Sequence, residues 1–178
     1  MEHLPDETML TQIEREPHRL EEFLRASVEL EISVHRVSAH QLRPMSDRLS
    51  QQIQSVTSIP ENRKAELLNH LQQIDEETRI CHGDFHVQNM IVNNNHLAII
   101  DWMDATRGKP LLNGCRSYLL YLGVDASVAE MYLDEYCRLS GSNPDGVTER
   151  LPLKAAARLS ELTSPDEWTR LLSIVQSR

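Results

Sequence analysis

Glycine and lysine are scarce in this sequence, and unevenly placed. Of six glycines the first is Gly83, and of the three lysines only Lys64 precedes it. The first 82 residues therefore cannot contain a glycine-rich phosphate loop. Aromatic residues make up 4% of the chain and apolar residues 40%, so a core can form from modest material. No apolar run approaches the roughly 20 residues that cross a bilayer, which predicts no membrane partner. The N-terminal stretch Met1 to Glu7 is acidic and lacks an apolar centre, so it does not read as a signal peptide. The three cysteines, Cys81, Cys115 and Cys137, are widely spaced and form no CxxC pair. They read as reduced, buried thiols of a cytoplasmic protein. With 18 basic against 27 acidic residues and a net charge of −9, the chain lacks the basic surface that a nucleic-acid partner needs.

What is present reads as helix around one short extended region. The 178 residues suit a single domain. Residues 1–78 are predicted helical: Thr8 caps a short helix, and Pro17 opens a longer one with Leu20, Phe23, Leu24, Val28, Leu30 and Val34 at helical spacing. Met45, Leu49 and Ile53 form a further stripe, and Leu67, Leu68, Leu71 and Ile74 another. Lys64 is placed on the polar side of that last helix, in solvent. Residues 79–110 change character. Ile80-Cys81 is extended, and Met90 to Val92 and Leu97 to Ile100 predict a hairpin around Asn93-Asn94-Asn95, a residue type that tolerates turn conformations. Residues 111–178 return to helix, with segments 111–122, 126–139 and 147–162 and a last one near Asp166 opened by Ser164-Pro165. The fold class is mainly α with a small β-hairpin, an α+β arrangement.

The polar residues able to do chemistry cluster in the middle: His82-Gly83-Asp84-Phe85-His86-Val87-Gln88-Asn89, then Ile99-Ile100-Asp101-Trp102. Phosphoryl transfer to a hydroxyl needs a carboxylate to receive the proton and oxygen ligands to hold Mg²⁺ against nucleotide phosphates. Mg²⁺ keeps several waters, so one Asn and one Asp from the protein suffice. A hairpin between Asn89 and Asp101 makes its two outer ends neighbours, which brings both to the edge where Asp84 lies. This is the spacing of kinase catalytic and metal-binding loops.

At these residues the sequence resembles the aminoglycoside phosphotransferase and choline kinase family. His82 to Asn89 stands where that family has His-Gly-Asp-(Phe/Leu)-His-x-x-Asn, and Ile100-Asp101-Trp102 matches its strand-ending Ile-Asp-Trp. Gly108-Lys109-Pro110 matches Gly-x-Pro, and Asn113-Gly114-Cys115-Arg116 stands where the family has Asp-x-x-Arg. The resemblance implies the C-terminal lobe of a protein-kinase-like fold. It implies Asp84 as catalytic base, Asn89 and Asp101 as Mg²⁺ ligands, ATP or GTP as phosphoryl donor and a small-molecule hydroxyl compound as acceptor. His82 and His86 are expected to orient the loop, and Arg116 to act as a structural pairing residue.

Three departures stand out. Val87 replaces a usual Pro. Asn113 replaces the Asp, which reduces an expected Asp–Arg116 pair to at best a hydrogen bond. The family's N-terminal nucleotide lobe, with its glycine loop and strand lysine, has no counterpart ahead of Thr8, so a separate nucleotide-binding lobe becomes a candidate partner. Two readings compete with a kinase lobe. One is a catalytically silent kinase-like module; the other is a zinc hydrolase using His82, Asp84 and His86.

Overall fold

A helix buried on nearly every side organises the protein. In the computed structural model, which describes residues 7–93 and 96–177, nine α-helices occur among the described residues. They are α1 (Met9–Arg15), α2 (Leu20–His35), α3 (Met45–Ser55), α4 (Glu61–Gln72), α5 (Pro110–Leu122), α6 (Ala126–Ser140), α7 (Pro144–Thr148), α8 (Leu151–Arg158) and α9 (Pro165–Gln176). Every residue of α5 from Leu112 to Leu119 is buried, the signature of a helix inside a core rather than on its surface. Pro110 opens α5, where its missing N–H costs nothing.

Two apolar cores meet on α5. Leu112 and Leu119 join the first, built from Met45, Leu49 and Ile53 of α3, Leu67 and Leu71 of α4, Leu153 of α8 and Leu171 of α9. Cys115, Tyr118 and Tyr121 join the second, with Met9 of α1, Phe23, Leu24 and Val28 of α2, and Tyr132 and Tyr136 of α6. All three cysteines are free and buried. No helix among the described residues is long and apolar enough to cross a membrane. The N-terminal stretch Met1 to Asp6 and the turn residues Asn94-Asn95 lie outside the described residues.

The hairpin forms as read: β2 (Met90–Asn93) pairs antiparallel with β3 (His96–Ile99), Met90 opposite Ile99. A second sheet was not anticipated. β1 (Arg79–Cys81), which contains the extended Ile80-Cys81, pairs antiparallel with β4 (Thr106–Gly108), Cys81 opposite Thr106. The helix expected over 147–162 is also two helices, because Pro152 has no N–H to continue the ladder and is accepted only in the first turn of α8. Lys64 is a further correction. It is 7% exposed, in phase with Leu67 and Leu71, and its ammonium reaches the Glu61 carboxylate (2.8 Å) and the Gln54 carbonyl (3.4 Å). A long apolar stem lets a lysine lie over a core while its tip finds oxygen.

The long helix α2 carries polar groups inward. Phe23, Ser27, Glu31 and His35 recur every four residues and are all buried, whereas Leu30 and Val34 are only partly so. The period of the apolar stripe itself therefore places a carboxylate at the centre of the molecule.

Candidate active site

The site begins where β1 ends. Gly83 has φ +89, and a β-carbon there would sit 2.5 Å from the Asp104 carbonyl oxygen. Only glycine fits, and the chain can turn sharply after His82. His82 is fully buried. Its Nδ1 accepts the Asp84 N–H (3.3 Å), which leaves Nε2 protonated and donating to the Ile100 carbonyl (2.9 Å). Burial holds its pKa below the usual histidine value, so the ring stays neutral and ties the loop to the end of β3. Trp102 packs edge-on against it, ring centroids 4.7 Å apart.

His86 repeats the device one step further on. Its Nδ1 accepts the Gln88 N–H (3.3 Å), and Nε2 donates to Asp84 Oδ2 (3.1 Å). The Asn89 amide donates to the Asp84 carbonyl (2.9 Å) and to Asp84 Oδ2 (3.3 Å), which leaves its own side-chain oxygen free of donors among the described residues. The Ile100 N–H bonds the Asn89 carbonyl (3.0 Å), continuing the β2–β3 ladder by one rung. Asp101 is thereby set beside Asn89 at the open end of the hairpin. It is exposed, and is the one non-glycine residue with positive φ among the described residues (φ +59). Such strain concentrates at functional sites. The Asn89 side-chain oxygen and the Asp101 carboxylate, neither with a hydrogen-bond partner among the described residues, are donors of the hard-oxygen type that suits Mg²⁺. The structure joins Asn89 to Asp84 directly, and places Asp101 next in the chain to Ile100, which bonds Asn89.

The zinc reading does not fit. Each histidine nitrogen here already has a protein partner, and no three His, Cys, Asp or Glu side chains among the described residues are grouped to hold a metal.

Arg116 lies behind Asp84. It is buried on α5 and donates from Nη2 to Asp84 Oδ1 (3.2 Å) and Glu161 Oε2 (2.9 Å). Glu161 also takes Arg158, whose Nε bonds Glu167 Oε1 at 3.0 Å. Charges of alternating sign therefore run from Asp84 to α9. Burial opposes ionisation of Asp84, but the His86 hydrogen bond and the Arg116 charge outweigh it and hold the carboxyl well below its ordinary range.

The expected Asn113–Arg116 hydrogen bond does not form. Asn113 Oδ1 accepts the Gly83 N–H (2.8 Å) and its amide donates to Glu31 Oε1 (2.6 Å). Glu31 also accepts from Ser117 (3.3 Å) and Tyr132 (2.7 Å). An Asp at 113 would set two carboxylates against each other in the core, whereas Asn has both the acceptor that Gly83 needs and the donor that Glu31 needs. The sequence reading missed Glu31; its phase with Phe23 and Ser27 was the available signal.

A cleft of about 810 Å³ opens beside Asp84 and His86, bounded by α1, α2, the α5–α6 junction and the start of α9.

The sequence profile of the phosphotransferase enzyme family matches residues 1–150. The chain belongs to that family. Solved structures share this chain's mostly helical, kinase-like fold. A choline/ethanolamine kinase family protein from Mesorhizobium loti superposes with a TM-score of 0.59 at 12% identity, covering 99% of this chain and 67% of that one. Amicoumacin kinase in complex with AMP-PNP, Ca²⁺ and its ligand gives 0.53 at 16%, covering 88% and 57%. An ADP-bound aminoglycoside phosphotransferase gives 0.53 at 15%, covering 99% and 69%. This chain thus spans between 57% and 69% of the length of these proteins. A comparison with curated protein sequences finds no match.

Proposed function

We propose that this phosphotransferase family member carries the catalytic half of a small-molecule kinase, which transfers the terminal phosphoryl group of ATP or GTP to a hydroxyl. The reading is supported by the hydrogen bonds that join Asn89 to Asp84 and Ile100, the chain neighbour of Asp101, to Asn89 at the open end of the hairpin. The acceptor hydroxyl sits against Asp84 in the cleft. Its oxygen attacks the terminal phosphorus, a new O–P bond forms, and the bond to the bridging oxygen breaks, leaving its electron pair on the nucleoside diphosphate. The hydroxyl proton passes to Asp84.

A carboxylate held so far below its ordinary range is a weak base, which suits a loose transition state in which the proton moves late. Asp84 acts first as the acceptor that aims the hydroxyl, while His86 and Arg116 hold its two oxygens in place. Asn89 and Asp101 would hold Mg²⁺, which neutralises phosphate charge when bound.

Calorimetry tests the reading. Mg²⁺–ATP or Mg²⁺–GTP is expected to release heat on binding in the millimolar range or tighter, and Asp101→Ala or removal of Mg²⁺ to abolish it. No heat at millimolar nucleotide, or unchanged heat in Asp101→Ala, would favour a silent kinase-like module instead.

A further inference from the structure

Glu31, on α2, is a carboxylate buried without a cation. It is fully enclosed and pairs with no lysine or arginine among the described residues. His35 comes within 3.9 Å, but both of its ring nitrogens are buried without a hydrogen-bond partner. What surrounds Glu31 is donors: the Asn113 amide (2.6 Å), the Ser117 hydroxyl (3.3 Å) and the Tyr132 hydroxyl (2.7 Å). A buried carboxylate without a cation adds little stability, so the cluster points to another role.

Asn113 links that cluster to the catalytic loop. Its side chain has nearly the same shape in both amide orientations, and its partners select one. The Gly83 N–H can only donate, so Asn113 Oδ1 must face it (2.8 Å). Glu31 makes the same choice from the other side. Its oxygen takes the Asn113 N–H, whereas a flipped amide would set oxygen against carboxylate and NH₂ against the Gly83 N–H. Bonds in series also polarise one another, so an ionised Glu31 makes Asn113 Oδ1 a stronger acceptor. Gly83 is the turn that directly precedes Asp84, and the Asp104 backbone blocks any β-carbon there. Its N–H is tied to the core through Asn113.

We propose that Glu31 is a positioning residue for the catalytic loop: through Asn113 it holds the Gly83 N–H, and with it the backbone from which Asp84 projects. The inference rests on the phosphotransferase reading for the role of Asp84, but the link from Glu31 to Gly83 does not.

Ionisation of Glu31 gives the link a signature. The groups facing it are His35 on α2, Tyr121 on α5, Tyr132 and Tyr136 on α6, and Cys81 on β1. Burial raises the three tyrosines, pushes Cys81 up to about 12 and pushes His35 down to about 4. Within this group only Glu31, pushed up to about 7, changes charge near neutral pH.

Amide NMR of the full chain without nucleotide, between about pH 5.5 and 8.5, tests the proposal. The Gly83 amide proton should move downfield in one step centred near 7 as Glu31 ionises. His82 and His86 also lie near Gly83, so the step is assigned by its loss in Glu31→Gln, which keeps an acceptor for Asn113 but cannot ionise. Glu31→Met removes the acceptor. It should speed Gly83 amide exchange about fivefold relative to the amides of α5 and shift the Asp84 carboxyl carbon, while Glu31→Gln leaves both as in the wild type. The proposal is overturned by no step at Gly83, by a step that survives in Glu31→Gln, or by unchanged Gly83 exchange and Asp84 carbon in Glu31→Met. Failure here with Mg²⁺–nucleotide binding intact removes only the role of Glu31. A Gly83 step without nucleotide binding removes the kinase reading and leaves Glu31 as the tether of the loop.

Discussion

Arg116→Met is expected to lower stability by about 2 kcal/mol and to raise the Asp84 carboxyl toward its ordinary range. Removing one partner of a fully buried ion pair costs roughly 3–5 kcal/mol, because the other charge is left uncompensated. Here the guanidinium is 5% exposed, but its partners Asp84 and Glu161 are 27% and 25% exposed, so water takes up part of the loss. Methionine preserves the apolar stem that packs on α5. The denaturant midpoint should fall with an unchanged slope, which locates the effect in stability rather than in the unfolded state. A carbon-detected titration of Asp84 should show a higher pKa than in the wild type, with the His86 bond still holding it below an unperturbed carboxyl. An unchanged midpoint would mean that Arg116 is a spectator and that Asp84 is positioned by His86 and Asn89 alone.

The second large effect lies in the core and depends on pH. Burial pushes the Glu31 carboxyl up to about 7 from an ordinary 4.5, against the hydrogen bonds from Tyr132, Asn113 and Ser117. A raised pKa means that the folded state holds a proton that the unfolded chain releases. The stability Glu31 contributes is therefore full below pH 4.5 and lost as pH rises through 7. His35 is close by, its Nε2 3.9 Å from Glu31 Oε1, and burial pushes it down to about 4 from 6.5. Its contribution runs the other way, present above pH 6.5 and lost as pH falls through 4. The two slopes oppose each other between pH 4.5 and 6.5 and flatten the profile.

Glu31→Gln keeps a side chain able to serve Asn113 and Tyr132 but removes one of the two titrations. Relative to the wild type it should gain stability as pH rises from 4.5 to 7, by about 3 kcal/mol over the full interval. Its own profile should show the acid sensitivity of His35 uncovered. Chemical denaturation at half-unit pH steps measures this, and parallel curves for the two proteins would rule the account out.

How much of this was legible in the sequence depends on range. His82 to Asn89 and Ile99 to Asp101 are local motifs, and hydrogen bonds within a few residues tie Asn89 to Asp84, while the Ile100 N–H bonds the Asn89 carbonyl. The hairpin was readable for the same reason. The β1–β4 pairing was not, because it joins Arg79 to Gly108 across the whole catalytic segment and neither strand exceeds three residues. Asn113 was readable as a departure from Asp but not in its consequence. Its partner Glu31 lies 82 positions earlier, so the contact is set by tertiary packing and not by local spacing. Lys64 misleads in the same way, since a lysine in phase with leucines looks solvated until Gln54 is seen beside it. The cleft required α1, α5, α6 and α9 to be placed in space.

We propose that Asn89 and Asp101 hold a divalent cation beside Asp84. Mn²⁺ substituted for Mg²⁺ in the presence of ATP tests it most directly, because a bound paramagnetic ion broadens nearby amide resonances. Selective broadening of Asp84 to Asn89 and of Ile99 to Trp102 is expected, and its loss in Asp101→Ala. Broadening centred elsewhere, or none at millimolar Mn²⁺–ATP, would contradict it.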